Sequence, residues 1–413
     1  MASIYNGWLG AMSKGDAMKR KVCMVVQEHY PMDVRVRKEA QALLARGHKV
    51  WVIALRGAHE SRHEVVKGVE VYRIGFSKQR GSVLRYLFEY GSFFVAAALK
   101  LNVLDFKERF DVIHVNTLPD FLVFAALVQR AIGRRIVLDM HEIMPEFFMS
   151  KFKVGENHPV VRLLRLQERA SLRFADRVIT VNDPIKAVFQ RRAIPGKHIE
   201  VVMNTVSAST VGGVVKRPHR GINCVYHGTV TDMYGLDIAI EGFAKARRAQ
   251  QDLIFHIYGD GPGLPALKAL VRDLRLDKEA VVFHGAVPYD QMMDALSEMD
   301  LGILAIRKDV FLNLSFSNKL AEYVYLKIPV VSSDLDTVKY YFDDNCLLFF
   351  RAGDADDLSE KIRYAHDNVV AMRVKAEKAY ATAQPFDWDA MTKRYVSVIE
   401  DDRVPNSMCE ELI

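Results

Sequence analysis

The sequence FSNKLAEYVYLKIPVV at residues 316–331 is the most informative stretch of the chain. It predicts a loop, then a helix, then a buried strand that begins near Pro329, a position that proline tolerates. The helix would start at Asn318 and Lys319, where unpaired backbone N–H groups and a partial positive charge suit a phosphate. Glu322, one turn later, suits the paired hydroxyls of a sugar or ribose. The residues alone leave a second interpretation open, an ordinary amphipathic helix with a solvated Lys and Glu.

Length and composition indicate a globular protein with two domains. The chain has 413 residues, of which 50% are apolar and 26% charged, and this length exceeds one ordinary core. The four cysteines show no metal-ligand spacing, and three of them lie in or beside apolar runs, which favours buried thiols in a reducing compartment. No apolar run reaches the roughly 18–20 residues of a spanning helix, and residues 1–20 lack a clear signal core. We therefore expect a cytoplasmic enzyme with a flexible leader at 1–20.

Charge is distributed unevenly along the chain. Residues 1–200 carry 33 Lys and Arg against 20 Asp and Glu, a net +13, whereas residues 201–413 carry 24 against 31, a net −7. A basic half can be drawn to anionic lipid or to an acidic acceptor. Arginines recur at helical spacing at positions 162, 165, 169 and 173, either as a basic stripe or as an ordinary solvated face. Because stacking aromatics and nucleic-acid modules do not accompany the charge, it does not predict DNA or RNA binding.

Strands alternate with helices in both halves of the sequence, which predicts right-handed crossovers and parallel sheets. One of the predicted helices covers 121–132. The pattern restarts at residues 222–226, after a stretch rich in Ser, Thr and Gly that suits a linker. We predict a leader at 1–20, an N-terminal domain at 21–206, a linker at 207–221, a C-terminal domain at 222–385, a final helix at 386–402 and a tail at 403–413. Ligands of such sheets bind outside the carboxyl ends of the strands.

The FSNKLAEY segment is one of several motifs that follow one another in order. The others are DVRVRKEA with LLARGHKV within 33–50, YHGT with YGLD within 226–237, YGDGP at 258–262 and FHG at 283–285. Each motif alone is only moderately specific. As a set they span nearly the whole chain, and their order and spacing resemble those of the retaining glycosyltransferases of family 4.

This resemblance implies the GT-B fold, an α/β architecture of two Rossmann-like domains that face each other across a cleft, with the final helix crossing back to the N-terminal domain. It also implies a nucleotide-diphosphate sugar as co-substrate, with no other cofactor and no metal. Donor-binding residues would be Gly228, Thr229, Gly259, Asp260, Gly261, Gly285, Val287, Ser317, Asn318, Lys319 and Glu322. The catalytic residues would be His141, Lys319 and Glu322, with Lys319 stabilising the charge on the leaving diphosphate.

The chain departs from the family pattern at three places. The usual Arg after the loop glycine is Thr229, the usual Lys before the later glycine is Tyr234, and the usual first glutamate is Leu314. The phosphate clamp would then be weaker, or it would be rebuilt from other cations such as Arg307 or Lys308. These departures bear on the identity of the donor and on the activity itself.

The segment DMHE at residues 139–142 follows a predicted strand and would therefore enter the cleft. In the resembling family a histidine at this point faces the transferred sugar, which makes His141 a candidate; a histidine that caps or packs under the next helix is the alternative. Glu142 and Glu146 form a carboxylate pair that an inverting mechanism could use. A retaining enzyme of this kind is expected to use a front-side route without a protein nucleophile.

The acceptor side would include Asp33, Arg35, Asp139 and Glu142. Arg35 could touch an acidic acceptor or the donor phosphates. Asp33 and Arg35 could equally be a helix-start residue and a surface charge.

We therefore expect a membrane-peripheral hexosyltransferase that moves a sugar from a nucleotide-diphosphate sugar to a glycan or lipid-linked acceptor, with retention, in polysaccharide or glycoconjugate synthesis. Contact with an anionic membrane, at its cytoplasmic face, would follow from the basic N-terminal half. Two alternatives stay open. One is a nucleotide-sugar 2-epimerase of the same fold, and the other is a non-catalytic sugar-binding homologue.

Overall fold

A computed structural model describes residues 19–75, 83–192, 196–207, 221–277 and 279–401. It contains two compact units, one of residues 1–140, 170–178 and 394–413, and the other of residues 141–169 and 179–393. Most of the predicted leader and linker, and the whole tail at 403–413, lie outside the described residues, as does Cys409. The domain boundaries given above stay predictions.

The strands of the first sheet are β1 (Lys21–His29), β2 (Lys49–Leu55), β3 (His63–Val66), β4 (Val69–Ile74), β5 (Val112–Asn116), β6 (Arg135–Met140), β7 (Arg177–Thr180) and β8 (Ile199–Val201). Their order in the sheet is β3-β4-β2-β1-β5-β6-β7-β8. The accompanying helices are α1 (Val34–Ala45), α2 (Val83–Glu108), α3 (Leu127–Ala131), α4 (Met144–Phe152), α5 (Pro159–Phe174) and α6 (Asp183–Arg192).

The strands of the second sheet are β9 (Ile222–His227), β10 (Leu253–Tyr258), β11 (Val281–Gly285), β12 (Leu301–Leu304), β13 (Val330–Ser333) and β14 (Leu348–Phe350). Their order is β11-β10-β9-β12-β13-β14, and all five neighbouring pairs are parallel. The helices are α7 (Leu236–Arg247), α8 (Leu264–Asp273), α9 (Tyr289–Leu296), α10 (Asn318–Tyr325), α11 (Asp336–Tyr341), α12 (Ala355–Asp367), α13 (Val369–Ala383) and α14 (Trp388–Glu400).

The alternation of strands and helices therefore confirms the predicted α/β class with two largely parallel sheets. Two local features differ from the sequence-based expectation. The strand β3 was not predicted; it pairs antiparallel with β4 at the edge of the first sheet and is mostly exposed, so its pattern lacks the apolar run of a buried strand. The single helix expected at 121–132 is a 3₁₀ segment, Asp120–Ala126, followed by the short α3.

The second sheet is stabilised by an apolar core beneath β9, β10 and β12. Phe243 of α7 contacts Phe255 of β10 with ring centroids 5.4 Å apart, and both side chains are fully buried. Leu358 of α12 packs on Gly242 of α7 so closely that a Cβ at Gly242 would lie 2.8 Å from its side chain. This dense core fixes the strands, and with them the loops that follow their carboxyl ends.

The cysteines of the described residues behave as the sequence predicts. Cys23, Cys224 and Cys346 are buried free thiols. Burial raises the pKa of Cys23 and of Cys224 above the usual range, so both are unreactive packing residues. Within the part of the chain that the structure describes, no helix has the length and apolar character needed to cross a bilayer.

Candidate active site

Glycine loops follow β9, β10 and β11 at their carboxyl ends, where parallel sheets bind ligands. Gly228 and Gly259 both have positive φ, +113° and +136°. A Cβ on Gly259 would lie 1.8 Å from the carbonyl oxygen of Gly228, so the two loops touch through backbone alone. Gly259 donates its N–H to Gly285, which extends the contact to the third loop. The three loops predicted to bind the donor therefore form one continuous backbone edge, here called the glycine edge.

The side chain of Lys319 lies across this edge. A Cβ on Gly228 would be 2.5 Å from Cε of Lys319 and 2.9 Å from its Nζ, so only glycine leaves room for the lysine. The ammonium lies over the rings of Tyr234 and Tyr226, 4.1 Å and 5.4 Å from their centroids. The lysine that the sequence places at a helix start is thus half-buried and held by aromatic faces instead of extending into solvent.

Burial changes the protonation of Lys319. Desolvation lowers the pKa of its amine to about 8, against the attraction of the Glu322 carboxylate, which acts to raise it. Lys319 forms no ion pair with a carboxylate among the residues that the structure describes. A partly desolvated ammonium of this kind gains stability when an anion arrives, which is the property that a phosphate site needs.

Glu322 is fixed by a short chain of hydrogen bonds. His227 at the end of β9 contacts its carboxylate through Nε2. An ionised carboxylate only accepts hydrogen bonds, so Nε2 carries the proton, and Nδ1 faces the hydroxyl of Tyr323 at 3.0 Å. Tyr289 also lies near Glu322: burial first, and then the charge of this carboxylate, raises the pKa of the Tyr289 phenol. The YHGT motif did not predict this role of His227, whose signal in the sequence is a polar residue directly before the loop glycine.

Tyr234 occupies the position where the resembling family has a lysine, and its ring takes part in the contact with Lys319. The other two cations considered for a rebuilt clamp are engaged elsewhere. Arg307 forms ion pairs with Asp232 at 3.1 Å and with Asp237 at 2.5 Å. Lys308 pairs with Asp336 at 2.9 Å. Of the three candidate cations, Lys319 alone lies on the glycine edge.

The position of the absent first glutamate is structural. Leu314 ends a short 3₁₀ turn, and its carbonyl accepts a hydrogen bond from Asn182. The nearest upstream acid, Asp309, accepts the N–H groups of Phe311 and Leu312 and so caps this turn. Asp309 therefore does not take the place of the first glutamate of the family pattern.

The remaining predicted donor residues lie around the same edge, with differing exposure. Asp260 is exposed, and its carboxylate accepts the N–H of Gly261 at 2.7 Å. Thr229 and Asn318 are exposed, whereas Val287 is half-buried. Ser317 precedes α10 without capping it through its side chain, which leaves the start of this eight-residue helix to other hydrogen-bond partners.

His141 and Glu142 lie in the loop between β6 and α4. Burial raises the pKa of Glu142, with His141 opposing the shift. Glu142 in turn contributes to the raised pKa of Tyr234, after the larger effect of burial. Since these influences act over short range, His141 and Glu142 belong near the residues that hold Lys319.

The expected pair of Glu142 and Glu146 does not share one environment. Arg192 of α6 binds Glu146 through both terminal nitrogens, and it also contacts Glu168 of α5 at 3.4 Å. Burial raises the pKa of Glu168 to about 7, with Arg192 opposing the shift. Glu146 therefore ties α4 to α6, and this ion pair makes it a poor general base.

Asp139 and Arg35, predicted on the acceptor side, form a buried bidentate ion pair. Arg35 donates from Nε and Nη2 to the two oxygens of Asp139, at 2.7 and 2.8 Å. Glu39 lies 3.2 Å from Nε, and burial together with Asp139 raises its pKa well above the usual range. Asp33 accepts the N–H of Val36 and caps α1. These contacts give Asp33, Arg35 and Asp139 structural roles, and their contact with an acceptor stays a prediction.

Glu39, His114 and Asp139 offer ligand atoms within 4.8 Å of one another, and all three side chains are buried. Such a group could hold a metal ion. The guanidinium of Arg35 already balances the charge of Asp139 and lies 3.2 Å from Glu39, and His114 hydrogen-bonds the hydroxyl of Tyr395 at 3.0 Å. A divalent cation would meet the repulsion of Arg35 there, so the arrangement favours an internal ion pair over a metal centre.

Family models match most of the chain. A glycosyl transferase 4-like domain matches residues 32–205, and a glycosyl transferases group 1 domain matches residues 221–368. The chain therefore belongs to the GT-B glycosyltransferases of the family-4 type, and it is an enzyme of the transferase class. No curated protein sequence matches it significantly.

Solved structures of similar fold include sucrose-phosphate synthase from Thermosynechococcus elongatus, with a TM-score of 0.74 and 15% identity over 92% of this chain and 98% of the other. WaaG, a glycosyltransferase involved in lipopolysaccharide biosynthesis, aligns with a TM-score of 0.66 and 15% identity over 92% and 99% of the two chains. HepE from Anabaena, in complex with UDP and glucose, aligns with a TM-score of 0.65, 15% identity and the same coverage. At such identities the likeness is one of fold.

Replacement of Arg35 by Met separates a structural role from an acceptor role. The change leaves Asp139 and Glu39 buried without their cation, and we expect the free energy of unfolding to fall by about 3–5 kcal/mol. Urea denaturation at neutral pH measures this loss. Arg37→Met on the same helix is the matched control and should cost less than about 1 kcal/mol. A stable Arg35→Met protein that fails only in sugar transfer would contradict the structural role.

Replacement of Tyr234 tests whether its ring holds the Lys319 ammonium. Tyr234→Leu removes a cation–π contact worth about 0.5–2 kcal/mol, so we expect several-fold weaker binding of pyrophosphate by titration calorimetry. Tyr234→Phe keeps the ring and should keep the affinity. Tyr234→Lys adds a second cation and should tighten binding. Equal affinities in the Leu variant and the unmodified protein would show that the ring plays no part.

Proposed function

We propose that this glycosyltransferase takes its sugar from a nucleotide-diphosphate sugar that binds at the glycine edge of the second sheet. The observation that carries this proposal is the position of Lys319, whose Nζ lies beside Gly228 and over Tyr234. Support comes also from similar structures, since HepE was solved with UDP and with UDP-glucose. The glycines bring backbone N–H groups close to the diphosphate, and Lys319 supplies its counter-charge.

Glu322 would accept hydrogen bonds from the ribose hydroxyls. Glu322 is 9% exposed and its carboxylate is oriented by His227, so it can offer a fixed acceptor to a bound nucleoside. The base would lie near the loop that holds Gly285 and Val287. Ordering of the carboxylate before the ligand arrives lowers the entropic cost of binding.

The transfer step that fits these residues is a front-side displacement with retention. The bond from the anomeric carbon to the diphosphate oxygen breaks, and the acceptor hydroxyl forms the new bond on the same face. The acceptor proton passes to the departing phosphate, whose negative charge Lys319 stabilises. His141 would contact a hydroxyl of the transferred sugar, and Glu142, whose pKa is raised by burial, would lie on the acceptor side.

The acceptor class that we propose is a glycan or lipid-linked saccharide, used in polysaccharide or glycoconjugate synthesis by a hexosyltransferase at the cytoplasmic face of a membrane. The excess of basic residues in the N-terminal half supports peripheral contact with anionic lipid. The proposal requires no metal and no cofactor besides the sugar donor.

Binding of the donor can be tested first with nucleoside diphosphates. A ligand that binds only folded protein raises the melting temperature, so a thermal-shift screen with uridine, guanosine and adenosine diphosphates and their sugars should identify one preferred base. The preferred sugar is then incubated without an acceptor. Formation of an epimer would favour a 2-epimerase and contradict the transfer reaction, as would the absence of binding by every nucleotide.

Replacement of Lys319 or Glu322 by Ala should each reduce donor turnover at least about tenfold, roughly 1.4 kcal/mol in the barrier. Lys319→Ala removes the counter-charge of the leaving group, and Glu322→Ala removes the ribose acceptor. Release of nucleoside diphosphate measures turnover. Lys327→Ala is the matched control, because that lysine follows the same helix, is exposed and pairs with Glu377 at 2.7 Å. Near-normal rates in both site variants would refute the assignment.

Because the pKa of Lys319 is lowered, a rise in pH should weaken diphosphate binding but increase the stability of the empty protein. Diphosphate binding requires the ammonium, so above its pKa of about 8 the dissociation constant should rise by about tenfold per pH unit. The unfolded chain keeps the ordinary lysine pKa and therefore binds more protons in this range. The contribution of Lys319 should therefore increase the free energy of unfolding of the empty protein as pH rises. Lys319→Met should abolish both contributions, as titration calorimetry and urea denaturation at pH 7 and 9 would reveal.

A further inference from the structure

The end of α4 and the outward face of α5 expose large apolar side chains. Phe152, Val160, Leu163 and Leu166 are 51%, 38%, 63% and 65% exposed. The name α4–α5 surface is used here for these four residues together with the exposed cations of the same stretch, Lys151, Lys153, Arg162 and Arg169. Phe148 connects its two parts, because its ring lies 4.4 Å from that of Phe152 and 5.9 Å from that of His158, just before α5.

The opposite face of α5 is firmly anchored. Val161 and Glu168 are completely buried, and Glu168 contacts Arg192 of α6, which also binds Glu146 of α4. This anchoring fixes which side of α5 faces outward, so the exposure of Leu163 and Leu166 is set by the packing of the helix.

The exposed charges around the apolar side chains are almost all positive. Between residues 151 and 169 the exposed cations are Lys151, Lys153, Arg162 and Arg169. The single exposed acid of this stretch, Glu156, pairs with Arg165 at 3.2 Å and so adds no free negative charge. Arg162 and Arg169 are seven residues apart with Leu166 between them, which aligns both arginines with the leucine along one face.

We propose that the α4–α5 surface docks on an anionic lipid bilayer, with its leucines and Phe152 at the level of the acyl chains and its arginines and lysines at the lipid phosphates. A helix with a basic edge beside an apolar row, lying in the plane of the interface, binds such membranes through both contributions. This inference deepens the membrane contact in the proposed function, but it does not depend on which sugar donor the enzyme uses.

A lipid surface fits these side chains better than a second copy of the chain. Four side chains at this exposure offer far less than the roughly 800 Å² per partner of a stable interface. The cores of protein interfaces are also depleted of lysine, whereas lysine and arginine at an apolar row are what anionic headgroups attract.

The test is cosedimentation of the full chain with phosphatidylcholine vesicles, with and without phosphatidylglycerol. We expect binding only to the anionic vesicles and a loss of binding at high salt. The double variant Leu163→Glu, Leu166→Glu should lower the partition coefficient at least about tenfold, because it replaces insertion by charge repulsion. Arg162→Gln with Arg169→Gln should lower it by a similar factor at low salt, at about fivefold per arginine.

Matched controls come from other helices of the same unit. Val370 and Val374 of α13 are also exposed aliphatic residues, at 75% and 51%, and their replacement by Glu should leave vesicle binding unchanged. Arg248→Gln with Arg272→Gln removes two exposed arginines elsewhere and should likewise have no effect. Equal losses in these controls would overturn the proposal, since binding would then depend on total charge or apolar content alone.

The remaining outcomes are equally decisive. Binding of the leucine variant at the unmodified level, or equal binding to neutral vesicles, would refute the lipid surface. A leucine variant that binds vesicles normally but changes from dimer to monomer in sedimentation analysis would assign the surface to a second copy instead. Thermal shift with the preferred nucleoside diphosphate runs in parallel. A leucine variant that loses vesicle binding but still binds the nucleotide supports lipid docking at the α4–α5 surface. If the protein binds vesicles as expected but binds no nucleotide, only the proposed donor site is refuted.

Discussion

The candidate site depends on one close approach, that of the Lys319 side chain to the backbone of Gly228. The contact requires a residue without a Cβ directly after β9 and a lysine at the first turn of α10. It also requires that the loops after β9 and β10 touch, which they do through the carbonyl of Gly228 beneath Gly259. The aromatic rings of Tyr226 and Tyr234 then complete the surroundings of the ammonium. These parts come from β9 and the loops that follow it, from the loop after β10 and from α10, so the parallel sheet that aligns the strand ends is a precondition for the site.

Much of the architecture was predictable from the sequence, because buried parallel strands are written as apolar runs between turn residues. The restart of the strand pattern predicted at residues 222–226 coincides with β9. The strand β3 could not be found this way, since an exposed edge strand has no apolar run. The segment 120–131 has the apolar content of a helix, yet it is divided between a 3₁₀ turn and α3, a distinction that apolar periodicity does not encode.

The sequence places the candidate lysine and glutamate on one helix, but it could not supply the residues that contact them. The contact of His227 with Glu322 joins residues 95 positions apart, and the fold alone decides such a pair. Arg35 and Asp139 show the opposite case. Both were assigned to the acceptor side, and the structure shows that they are buried and paired with each other, a contact that the sequence does not indicate. An acid and an arginine at strand and helix ends have the same pattern in sequence whether they bind substrate or one another, and only burial distinguishes the two.

The chain of hydrogen bonds through His227 has an implication for anyone who transplants this pocket into another scaffold. A transferred Glu322 would rotate freely unless His227, which orients its carboxylate, were transferred with it. The neighbouring phenols of Tyr323 and Tyr289 would have to be transferred as well. The unit to transfer therefore consists of these four side chains, which come from β9, α9 and α10. The eight-residue motif FSNKLAEY is insufficient by itself.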